Sequence, residues 1–177
     1  MKRLSAFIFA FLLSSCALWE DYHFLTRTSF TNFDKGVKAF DMANYQSSLQ
    51  YLAQPAEQGN VDAQYMVGMI HMYGLAGTKN SYMAQKWLTM AANAGHRPAQ
   101  EQLAFFYRDE LTPLYNPINA YYWFNELIEE RPQYLEKLQN LEWTLRSRGL
   151  LSTARSMPKP KASHYEGMDY NDLFPLR

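Results

Sequence analysis

Four histidines (His23, His71, His96 and His164), one cysteine (Cys16) and three adjacent carboxylate pairs (Glu20-Asp21, Asp109-Glu110, Glu129-Glu130) are the side chains of this 177-residue chain best suited to chemistry. Zinc sites draw histidine, cysteine and carboxylate ligands from short, set spacings, and these histidines show no such spacing with one another or with carboxylates. Consecutive carboxylates on a helix point in different directions, so they do not form a paired acid and base. Serine nucleophile elbows are absent, and Gly74-Leu75-Ala76-Gly77 lacks the lysine of a phosphate-binding loop. The expectation is a protein without a catalytic centre, a metal or a dissociable cofactor. Seventeen basic and seventeen acidic residues cancel, which leaves no basic surplus for nucleic acid.

Cys16 is different, because of what precedes it. Met1-Lys2-Arg3 is a short basic start, and Leu4 to Leu13 is an apolar run interrupted only by Ser5. That run is too short to cross a bilayer and has the pattern of a secretory signal. Leu13-Ser14-Ser15-Cys16 is similar to a bacterial lipobox, in which the cysteine becomes the acylated first residue of the mature chain. The resemblance implies cleavage after residue 15, a covalent lipid such as palmitate on Cys16, and membrane attachment through it. Alanine at position 17, in place of aspartate, implies the outer membrane. Losing Lys2 and Arg3 turns the mature chain slightly acidic, and with one cysteine no disulfide can form within it.

The elements are organised by a repeat. Gly59 and Gly95 are 36 residues apart, as are Ala63 and Ala99, Asn80 and Asn116, Ala84 and Ala120, and Trp87 and Trp123. A period of this size marks a stacked repeat architecture. Within each copy, apolar and small residues at helical spacing predict two helices. Ala63, Val67, Ile70 and His71 run to a glycine-rich break at Gly74. Asn80 or Ser81 then caps a helix through Ala84, Trp87, Leu88, Ala91 and Ala92. In the second copy Asn116-Pro117 supplies an N-cap and a proline at the first helical position.

The segments Ala63–Gly74 and Asn80–Gly95 resemble the Sel-one-like repeat, a relative of the tetratricopeptide repeat. His71 stands where that family has tyrosine, Glu110 where it has the loop glycine and Arg131 where it has the closing glycine. The resemblance covers roughly residues 35–130. It implies close helix crossing at Gly68 and Ala104, where a side chain larger than a methyl would force the helices apart. It also implies a concave, partner-binding side lined by Tyr65, Met69, Met72, Tyr73, Glu101, Phe105, Arg108 and Asp109, with Val37 and Phe40 from the hairpin before.

The expected fold is all-α: a short α-α superhelix of about three hairpins with a C-terminal capping helix. Its divisions are a signal peptide (1–15), an aromatic-rich segment (16–33), the repeats (34–130), the capping helix (131–156) and a disordered tail (157–177). In the capping helix Tyr134, Leu135, Leu138, Leu141 and Leu145 read as one apolar stripe ending at Gly149. The expected function is an outer-membrane-anchored, periplasm-facing adaptor that binds other envelope proteins or peptides. An activator of a peptidoglycan-active enzyme and a homo-oligomeric structural lipoprotein are the alternatives.

Overall fold

The computed structural model describes residues 32–160, all of whose regular structure is helical. The expected signal peptide and lipidation site Cys16, most of the aromatic segment and residues 161–177 lie outside the described residues. Helix α1 covers 32–41, followed by α2 (Tyr45–Glu57), α3 (Val61–Tyr73), α4 (Ser81–Asn93), α5 (Arg97–Arg108) and α6 (Pro117–Leu127). The three hairpins α1–α2, α3–α4 and α5–α6 stack as a solenoid, each helix from α2 to α5 packing on the next in sequence and α1 meeting α2 where Gly36 faces Leu52. No described helix is long and apolar enough to cross a membrane.

Equivalent bonds recur along the stack. Asn44, Asn80 and Asn116 each start the second helix of a hairpin, their side-chain oxygens accepting the N–H of Ser47, Met83 and Asn119. Such caps satisfy donors that have no partner inside the helix. Buried Gln64 donates from α3 to the carbonyl of Ala56 on α2 at 3.0 Å, and Gln100 donates from α5 to Ala92 on α4 at the same distance. The junction between hairpins is therefore built twice from the same amide.

Gly68 packs more tightly than the sequence implied. A Cβ there would lie 2.7 Å from Leu88 Cγ and 3.2 Å from the Leu88 amide nitrogen, so even a methyl requires α4 to shift. Gly36 faces Leu52 in the same way one hairpin earlier. Gly74 is the left-handed C-cap of α3 at φ 66°, a conformation glycine adopts without strain. Asp109, next to the Glu110 that replaces the loop glycine, ends α5 in an extended conformation instead, so the two copies differ at this turn. Leu103, Trp123 and Phe124 behind it are fully buried.

Beyond α6 the single capping helix is in fact three pieces. A 3-10 turn (Pro132–Tyr134) leads into α7 (Leu135–Ser147), and a five-residue helix α8 (Leu151–Arg155) follows Gly149. Tyr134, Leu138, Leu141 and Leu145 are buried, whereas Leu135 is exposed and not part of the stripe. Helix α8 turns back onto α6. The start of the tail expected to be disordered is instead held on α4: Lys159 Nζ donates to the Asn93 carbonyl at 2.7 Å, and Asn93 Nδ2 donates to the Pro160 carbonyl at 3.1 Å. A cation beside the last carbonyls of α4 complements the helix dipole.

Candidate partner-binding face

Helices α3 and α5 lead successive hairpins and run side by side, and their contacts fix the geometry of the expected binding side. Near the start of both, the Tyr65 ring lies 4.5 Å from the His96 imidazole. His96 Nδ1 accepts the Ala99 N–H at 3.2 Å, which assigns the ring proton to Nε2, 3.3 Å from Asp62 Oδ1. Burial, with Tyr73 and Glu101 nearby, raises the Tyr65 phenol above the usual range. Tyr65 is thus a half-buried packing residue. Met69 is also half-buried against the larger core, and Met72 is almost wholly inside it.

Glu101 is committed as well. Its carboxylate accepts from the Arg131 guanidinium and the Tyr134 hydroxyl, so α5 is tied to the segment after α6. Phe105 is half-buried, edge-on to Phe124 and Tyr134 at centroid separations of 5.3 and 5.7 Å. On α1, Val37 and Phe40 are half-buried, and Phe40 meets Tyr45 edge-on at 5.4 Å.

What remains open lies toward the turns. Tyr73 is 55% exposed and donates its hydroxyl proton to Gln102 Oε1 at 3.1 Å. Arg108 is exposed, its guanidinium carbon 5.3 Å from the Phe105 ring centroid, within cation–π range. Asp109 Oδ1 accepts the Leu111 N–H at 3.0 Å. The Thr112 hydroxyl, 3.0 and 2.9 Å from the Phe106 and Asp109 carbonyls, shares one proton between them.

A cleft of about 180 Å³ opens here, lined by Met72, Tyr73 and Lys79 from one hairpin and by Gln102, Phe105, Phe106, Asp109 and Thr112 from the next. Of the residues expected on the concave side, Met72, Tyr73, Phe105 and Asp109 meet in it. Tyr65, Met69, Glu101 and Arg108 lie outside it. Lys79, Gln102, Phe106 and Thr112 are additions, and the pairing of turn residues across hairpins leaves no periodic signal. Among the described residues, no group of three or more histidine, cysteine or carboxylate side chains could hold a metal.

Comparison with curated proteins and with solved structures finds no match to this chain. Residues 61–96 and 97–130, which span α3–α4 and α5–α6, each match the model of the Sel1 repeat, so the chain carries two tandem copies of a helical scaffold for binding other proteins.

Proposed function

We propose that this protein is a lipid-anchored adaptor on the periplasmic side of the outer membrane, binding another envelope protein or peptide. The observation that carries the reading is the pair of tandem Sel1 repeats, whose leading helices α3 and α5 present Tyr73 and Arg108 to solvent at adjacent ends. The lipobox-like segment ending at Cys16 supplies the anchor. Tethering raises the effective concentration near membrane partners, so modest affinity suffices.

Crosslinking in cells followed by partner identification, then capture of that partner by purified variants, tests the adaptor role. Tyr73→Ala and Arg108→Glu should each lower capture while circular dichroism remains native. Normal capture by both excludes this face. Metabolic labelling with radioactive palmitate should tag the wild-type chain and not Cys16→Ala, and an unlabelled wild-type chain removes the lipid anchor from the proposal.

Self-association through α7 is a second reading, favoured by one observation. Trp143 is 73% exposed on α7, and Leu135 is exposed two turns before it. Sedimentation as a monomer at micromolar concentration excludes this reading.

A further inference from the structure

The cleft at the turn end of α3 and α5 differs from the rest of the face in having side chains that the fold has not used up. Farther along the two helices, Tyr65 is stacked, Met69 is packed and Glu101 is neutralised. The cleft holds about 180 Å³ over a floor of Met72, Phe105 and Phe106. An engineered apolar cavity of about 150 Å³ in another protein takes one benzene, so this space suits one leucine or one aromatic side chain.

Its two walls carry opposite charge. Lys79 stands on the wall from α3–α4 and Asp109 on the wall from α5–α6. Among the described residues neither takes part in an ion pair. The Asp109 carboxylate accepts the Leu111 N–H, and among the described residues no cation pairs with it. Leu75 and Leu111 are exposed on the turns that follow α3 and α5, Leu111 at 94%.

We infer that this cleft is a socket for one apolar side chain of a partner peptide, with a carboxylate on the Lys79 side of that anchor and a cation on the Asp109 side. The inference rests on the adaptor reading and deepens it: the apolar anchor supplies affinity, and the two charges set the direction in which the peptide lies. Laid in the same direction, a peptide with the charge order reversed would place like charges together at both walls, so it must lie the opposite way.

Selection of a random heptapeptide library displayed on phage, against the immobilised full chain, tests the socket. The expected outcome is enrichment of leucine or aromatic anchors with an acidic residue on one side and a basic residue on the other. Replacing the anchor by alanine in a synthetic copy of the selected peptide should weaken binding roughly tenfold to a hundredfold, the loss of one buried side chain. Lys79→Glu, an exposed change in a turn, should shift selection toward a basic residue at the formerly acidic position. Selected peptides that bind the Lys79→Glu chain unchanged overturn the socket and leave the adaptor reading intact. So does a library without enrichment, because crosslinking in cells and capture of the identified partner by the unaltered chain decide the adaptor role separately.

Discussion

His71 stands where the second repeat has Tyr107, and the two side chains meet the same burial with different consequences. The Tyr107 hydroxyl accepts from Gln85 Nε2 at 2.7 Å, with Thr89 and Asn119 around it. Burial raises its pKa, the hydrogen bonds oppose the shift, and the group stays neutral at any physiological pH. An imidazole is a poorer guest. His71 is 2% exposed, and burial lowers its pKa from 6.5 to about 4. The unfolded chain therefore binds a proton that the folded chain refuses between these values. The contribution is complete above pH 6.5 and is lost as the pH falls toward 4, reaching about 3 kcal/mol. Carboxylates titrate in the same window, so the readout is a difference. Urea midpoints of wild type and His71→Gln, measured from pH 7 to pH 4, should converge as the pH falls. Parallel curves rule out a buried neutral imidazole.

At the scale of helices, the closest approaches decide what the stack tolerates. With Leu88 already against Gly68, Gly68→Ala should cost about 1–3 kcal/mol through overpacking. A melting temperature within a degree of wild type overturns that packing role. The same crossing at Gly36 escaped the periodicity for a geometric reason: the first hairpin turns through Met42, Ala43 and Asn44 alone, so Gly36 and Gly68 are 32 residues apart, not 36. The duplicated helices, their asparagine caps and the start of the C-terminal cap were legible because each rests on a local pattern. Helix α8 was not, since its five residues have no side-chain N-cap and too short a run for periodicity. The binding face was legible only as a register. Register identifies the residues facing the groove but not those already spent there: the engagement of Glu101 needs Arg131 and Tyr134, about 30 residues downstream.

Across the whole molecule, each hairpin leans on its neighbours through one repeated junction, which makes stability close to a sum of local terms. The Gln64 and Gln100 amides occupy separate junctions, so Gln64→Leu and Gln100→Leu should each cost about 1 kcal/mol. The double variant should cost their sum within about 0.5 kcal/mol. The sum is not evenly spread. Among the described residues, the larger buried cluster runs from Met72 through α4, α5, α6 and α7 to Ala154, whereas a smaller one joins α2 to α3 and α4. Fewer buried contacts mean cheaper local opening. Amide hydrogen exchange should therefore be slowest in α5 and α6 and measurably faster in α2. The Lys159 and Pro160 contacts join the segment after α8 to Asn93, so removing residues 157–177 should speed exchange at the end of α4 and leave α2 unchanged. Equal protection of α2 and α6 in the full chain overturns the asymmetry, and α4 exchange that does not respond to the truncation removes the strap's role in holding α4.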